Sequence, residues 1–101
     1  MYDAFVYILR CADGSYYVGS HRGDDVLARV GEHQKGKYPQ AYTFTRRPVE
    51  LVWSEWFTRS DDAVLLERQI KGWGRAKKEA LIRGDFKELV ELAKRPGARK
   101  G

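Results

Sequence analysis

Two short apolar runs, Phe5-Val6-Tyr7 and Tyr17-Val18-Gly19, flank Ala12-Asp13-Gly14, and this pairing constrains the fold more than any other feature of the chain. Asp-Gly between alternating apolar residues is a hairpin signal, so residues 4–11 and 16–20 are expected to pair antiparallel. Loop length then decides which side chains share a face, because a one-residue slip moves every side chain to the other side. A two-residue Asp13-Gly14 turn would set Tyr7 opposite Ser20 and separate the two tyrosines. A three-residue loop closed by Gly14 as a bulge sets Leu9 opposite Tyr17 and Tyr7 opposite Gly19, with both phenols on one face. Asp-Gly serves either turn; the three-residue loop is the expectation adopted here.

The rest of the chain reads as further elements around that hairpin. Ala4 to Cys11 is almost continuously apolar, which suits a central strand covered on both sides. A helix is expected from Asp24 or Asp25 to about Lys35, with Val26, Leu27 and Val30 inward and Gly36 as its stop. A polar, aromatic loop runs to Arg47, and Val49 to Phe57 forms a third strand whose Trp53, Trp56 and Phe57 are expected in the core. Ser60 would cap a helix over about 61–72, with Ala63, Leu66, Ile70 and Trp73 as its apolar stripe. Shorter helices follow over Arg75–Ile82 and about 86–95. In the last, Asp85 and Glu88 make a capping-box-like start, and Phe86, Leu89, Val90 and Ala93 share a face. The order gives an α+β domain with a small three-stranded antiparallel sheet flanked by helices, one domain over 1–95 and a short basic tail over 96–101.

At 101 residues the chain suits one core that buries roughly 60–70% of its unfolded surface. It has no apolar run of about 18 residues and no secretory signal pattern, so the expected location is the cytoplasm. Cys11 is the lone cysteine, which excludes an internal disulfide and a multi-cysteine zinc site. Charge is uneven: residues 1–67 carry 8 basic and 10 acidic side chains, residues 68–101 carry 11 and 4. The basic half is a candidate phosphate-binding surface, and equally a solvated helical face.

Arg29 and His33 lie four apart on the first expected helix, so one face could offer a cation and an imidazole to a phosphate. Asp25 with Arg29 is also an ordinary ion pair at that spacing. Glu67 falls at the edge of an apolar stripe, where a carboxylate needs a partner. That partner is either Lys71 one turn on or a bound Mg²⁺, which one carboxylate can hold when water and substrate phosphate complete the octahedron.

Taken together, Phe5-Val6-Tyr7, Tyr17-Val18-Gly19-Ser20, Arg29 with His33, and Glu67 within Leu65-Leu66-Glu67-Arg68-Gln69-Ile70-Lys71-Gly72-Trp73 resemble the GIY-YIG endonuclease domain. The stretches Arg46-Arg47-Pro48-Val49-Glu50-Leu51-Val52 and Arg75-Ala76-Lys77-Lys78-Glu79-Ala80-Leu81-Ile82 are similar to those of its small standalone bacterial members. The resemblance covers residues 4 to about 82. It implies metal-dependent hydrolysis of DNA phosphodiester bonds, with one Mg²⁺ or Mn²⁺ on Glu67 and Arg29 as the catalytic arginine. Tyr7 and Tyr17 match the motif tyrosines, either of which could be the base, Gly19 the motif glycine, and His33 a polar position near the scissile phosphate. Phe5 stands where the motif name has glycine, and the chain lacks any asparagine, a residue many members place at the site.

A phosphodiester site needs a surface for the nucleic acid. Lys71, Arg75, Lys77 and Lys78 follow Glu67, and the loop supplies Lys35, Lys37, Arg46 and Arg47 with Tyr38 and Tyr42 for phosphate contact or base stacking. Such contacts give little sequence preference, one small domain with one site most simply nicks a single strand, and selection by substrate structure is a further expectation. The alternative is a DNA- or RNA-binding module of the same fold with a vestigial site. RNA as partner and the oligomeric state stay open.

Overall fold

The computed structural model describes residues 3–94. The order is β1 (Ala4–Arg10), β2 (Tyr16–Arg22), α1 (Val26–Lys35), a single 3₁₀ turn (Phe44–Arg46), β3 (Glu50–Phe57), α2 (Ser60–Lys71), α3 (Arg75–Arg83) and α4 (Phe86–Lys94). This is the expected α+β class. The chain divides after Lys71 into two compact units. The expected basic tail, 96–101, lies outside the described residues.

In the first unit the three strands form one antiparallel sheet in the order β2-β1-β3. The three-residue loop is the one adopted. Cys11 and Ser15 are joined by a backbone hydrogen bond, Gly14 N–H donates back to Cys11 O, and Gly14 sits at φ +85°, where a Cβ would be strained. Tyr7 therefore faces Gly19, and Leu9 faces Tyr17. β1 is central, and Ala4 through Leu9 are at most 2% exposed, so both of its faces are covered. Burying each large apolar side chain there contributes about 1.5–3 kcal/mol.

The two faces hold different cores. Phe5, Tyr7, Leu9 and Cys11 pack with Val49, and Val26 and Val30 of α1 cover them. On the other face lie Ala4, Val6, Ile8 and Val18, with α2 presenting buried Ala63 and Ile70. α1 is tied to the start of β3 by Gln34, whose amide donates to Val49 O and accepts from Val49 N–H. Asp25 caps α1 by accepting from Ala28 N–H, and Gly36 ends it, as expected.

Several expectations are corrected. Leu27 is 69% exposed, because only one narrow side of α1 meets the sheet. Trp56 is 43% exposed: it stacks on Phe5 from edge strand β3 and leaves its other side uncovered. β3 begins at Glu50 and carries an irregularity opposite Ile8 and Leu9, so its alternation shifts and its aromatics are only partly covered. α2 begins at Ser60, which therefore stands inside the first turn beside Asp61 and Asp62 instead of capping it; Ala63 N–H bonds Arg59 O. The acidic first turn suits the positive end of the helix.

In the second unit Gly84 closes α3, and Asp85 accepts from Glu88 N–H to start α4, as the capping signal requires. The apolar residues of α4 are unequally covered. Leu92 is buried, whereas Phe86 and Val90 are 63% and 51% exposed.

Candidate active site

The hairpin register brings one cluster together on the α1 face of the sheet. Tyr7 Oη lies 3.0 Å from His33 Nε2, and Arg29 Nε donates to the same oxygen at 3.3 Å. His33 Nδ1 meets Thr43 Oγ1 at 2.8 Å. Gly19 makes this possible: a Cβ there would stand 2.6 Å from Tyr7 Oη and 3.0 Å from Tyr17 Cε2. The Tyr7 and Tyr17 rings are 6.2 Å apart, and Tyr17 stacks on Tyr42 at 6.3 Å.

Burial fixes what each group can do. Tyr7 is sealed, and desolvation pushes its pKa up to about 12 although Arg29 pulls the other way. Arg29 alone does not offset the burial of the phenol. His33 is 2% exposed, and burial followed by the Arg29 charge lowers its pKa, so the ring is neutral at pH 7. A neutral ring that donates to Thr43 from Nδ1 accepts from the Tyr7 hydroxyl at Nε2. His33 thus stands behind Tyr7, buried, with both ring nitrogens engaged.

Arg29 is the charged group of this face, and Glu32 and Tyr38, neither singled out by motif spacing, fix it. Its Nη1 donates to Glu32 Oε1 at 3.1 Å and to Tyr38 Oη at 2.5 Å. Tyr38 in turn donates to Glu32 at 2.6 Å, and Lys37 Nζ stands 3.3 Å from the other Glu32 oxygen. The Tyr38 hydrogen bond, then those of Arg29 and Lys37, hold the Glu32 carboxyl down at about 2. Asp25, the expected ion-pair partner of Arg29, is used as the helix cap instead.

Glu67 sits elsewhere. It accepts from Ser20 Oγ at 2.6 Å and pairs with Lys71 Nζ at 2.5 Å. Burial alone would raise its pKa, but the Lys71 and Ser20 contacts outweigh it and keep the carboxylate charged. Ser20 follows Gly19 on β2, so its side chain points to the opposite face from the one Tyr7 occupies. The structure thus gathers Tyr7, Tyr17, Gly19, Arg29 and His33 on one face and sets Glu67 on the other. The two sets meet at consecutive residues of an edge strand. A cavity of about 890 Å³ adjoins the Glu67 side, lined by Ser20, His21, Arg22, Ala63, Val64 and Arg68 among others. Ser20 was legible only as part of the motif; its link to Glu67 spans 47 positions.

The basic loop residues are partly engaged. The Arg46 guanidinium lies 3.7 Å from the Tyr42 ring centre and pairs with Asp13 at 3.2 Å. Arg47 packs on Phe44 and donates to Phe44 O, while Lys35 and Lys37 are exposed. Lys71 is committed to Glu67. In the second unit Arg75 pairs with Glu79 at 3.0 Å, Lys77 lies 4.8 Å over Trp73, and Lys78 is half-buried.

A fold of this kind with this cluster is that of a nuclease family: residues 3–80 match the GIY-YIG catalytic domain, and the chain belongs to that family. Its relatives are small standalone bacterial proteins. UPF0213 proteins of Staphylococcus aureus strains Mu3 and Mu50 are each 44% identical over 79 residues, covering 78% of this chain and 93% of theirs. The solution NMR structure of a UPF0213 protein from Bacillus halodurans is similar at a TM-score of 0.51 and 35% identity, over 90% of this chain and 97% of that one. No helix among the described residues is long and apolar enough to cross a membrane.

Proposed function

We propose that this protein is a cytoplasmic, divalent-metal-dependent endonuclease that hydrolyses DNA phosphodiester bonds. It nicks one strand with little sequence preference and selects by substrate structure, using one nuclease domain over residues 1–95. The observation that carries this reading is the junction at Gly19-Ser20, where the Tyr7–Arg29 cluster and the Ser20–Glu67 pair meet across one edge strand.

Glu67 is the residue that would hold Mg²⁺ or Mn²⁺. Among the described residues no group of three or more His, Cys, Asp and Glu could hold an ion; an ion on Glu67 would therefore rest on a single protein carboxylate and need water and phosphate oxygens to complete its coordination. When bound, such an ion supplies Lewis-acid polarisation of the phosphate. Ser20 orients the carboxylate. Arg29, fixed by Glu32 and Tyr38, offers its cation to charge building on the phosphoryl oxygens. Tyr7, backed by His33, accepts from Arg29 and holds it in place, and Tyr17, the less buried tyrosine, is the phenol that meets substrate. Lys35, Lys37, Arg46, Arg47, Lys71, Arg75, Lys77 and Lys78 supply phosphate contacts.

One observation favours a second reading. Lys71 already places a cation on Glu67, so the ammonium could stand where a metal would and leave a domain that binds DNA or RNA without cutting. Conversion of supercoiled plasmid to nicked circle, with Mg²⁺ or Mn²⁺ against EDTA and beside Glu67→Ala, separates the two. Metal-dependent nicking lost in the variant supports the enzyme. Tight binding with no nicking of plasmids, flaps or forks supports the binding module.

A further inference from the structure

Tyr17 stands on β2, an edge strand whose only neighbour in the sheet is β1. Its phenol is aimed only as well as its ring is held. Two of its ring neighbours are buried and tilted against it, Tyr7 at 6.2 Å and His33 at 5.2 Å. The third is Tyr42, 43% exposed, which lies nearly parallel at 18° with the ring centres 6.3 Å apart. Tyr42 is not part of the apolar cluster that Tyr17 packs against, so what it adds is direction more than burial.

Tyr42 is itself firmly placed. The next residue, Thr43, is 1% exposed and meets His33 Nδ1 at 2.8 Å, which fixes the backbone beside the ring. The Arg46 guanidinium lies over the Tyr42 ring at 3.7 Å, and its Nη1 donates to Tyr42 O at 2.8 Å. Arg46 is tied in turn to the β1–β2 loop. Its Nε pairs with Asp13 at 3.2 Å, and its carbonyl accepts from Ala12 N–H at 2.8 Å. Asp13 is held by Ser15, whose N–H and hydroxyl both donate to it. Asp13, Arg46, Tyr42 and Tyr17 therefore form a ladder that starts and ends on the same hairpin.

We propose that Tyr42, clamped by Arg46 to the hairpin loop, is a positioning residue that fixes the Tyr17 phenol for phosphodiester hydrolysis, an inference that rests on the nuclease reading above. Tyr42 acts through Tyr17 and not by stacking on a base. Arg46 already covers one side of its ring, which closes that face to a nucleobase. A misplacement of about 1 Å at a reacting group can lower a rate about 10²-fold, so loss of the stack should reach the chemical step.

The test is single-turnover cutting by Tyr42→Ala, Tyr42→Leu and Tyr42→Phe, each alone and in a Tyr17→Phe background, with DNA affinity and urea unfolding measured beside it. Tyr42→Ala and Tyr42→Leu are expected to cut about 10–100-fold more slowly with affinity nearly unchanged. Tyr42→Phe keeps the ring and should cut at close to the wild-type rate. In the Tyr17→Phe background the Tyr42 substitutions should cost nothing further, because the hydroxyl they aim is gone. Independently of cutting, Arg46→Gln, one step removed from Tyr17, should shift the Tyr17 ring signals in NMR spectra of the free protein.

Wild-type rates in Tyr42→Ala and Tyr42→Leu, or in Tyr17→Phe, would overturn the proposal, as would a Tyr42→Phe that cuts as slowly as Tyr42→Ala. Losses that add in the Tyr17→Phe background, with weakened binding, would assign Tyr42 to the nucleic acid instead. Unmoved Tyr17 signals in Arg46→Gln would overturn the ladder. A folded wild type that cuts neither plasmids, flaps nor forks would overturn the nuclease reading, and with it the role of Tyr42.

Discussion

Tyr7 and Gly19 are so close that a single added methyl at residue 19 would collide with the phenol, at 2.6 Å from its oxygen. Tyr7 cannot yield, because Arg29 and His33 hold that oxygen from the far side. Gly19→Ala is therefore expected to lose about 1–3 kcal/mol of stability in urea unfolding. Gly31, inside α1 with nothing within 4 Å of a Cβ, is the contrast: Gly31→Ala should gain about 0.5–1 kcal/mol. Equal effects at the two glycines would contradict the close approach.

The buried His33 makes stability depend on pH in a fixed direction. Its folded pKa lies below the unfolded value of about 6.5, so between the two the unfolded chain binds more protons. Its contribution is fully present above about pH 6.5 and is lost as pH falls through the folded value. Urea midpoints should therefore fall from pH 7 to pH 5, and the fall should be smaller in His33→Gln than in wild type. A midpoint that rises on acidification would contradict a neutral His33.

Ser20 has a role that its place in the motif does not reveal. Because its hydroxyl orients Glu67, Ser20→Ala should lower nicking about 10-fold or more and raise the Mg²⁺ needed for half-maximal rate, with unfolding little changed. Unchanged metal dependence would mean that Glu67 does not need this contact.

Phosphate contacts predict a uniform loss. Lys77→Glu with Lys78→Glu should weaken binding to unrelated duplexes by similar factors and flatten the dependence of affinity on salt. A loss confined to one sequence would assign these lysines to base readout.

Much of this was legible because hairpin chemistry is local. Asp13-Gly14 sets the loop, the loop sets the register, and the register places Tyr7 and Tyr17 on one face with Gly19 beneath. The helix ends at Gly36 and the Asp85 cap were legible for the same reason. What escaped depends on contacts between distant segments. The sealing of Tyr7 and His33 needs Thr43, ten residues beyond His33, and the fixing of Arg29 needs Glu32 and Tyr38. The exposure of Trp56 and Leu27 follows from which side of an edge strand or helix is covered, a property that periodicity alone does not carry.

Arg29 on one face and Glu67 on the other are proposed to serve one site across the edge of β2. Single-turnover nicking by Arg29→Ala, Glu67→Ala and the double variant, with DNA affinity measured beside it, tests this most directly. Each single variant is expected to lose nearly all cutting, the double to lose no more than either alone, and binding to change only a few-fold. Additive losses, or a single variant that still cuts at the wild-type rate, would contradict it.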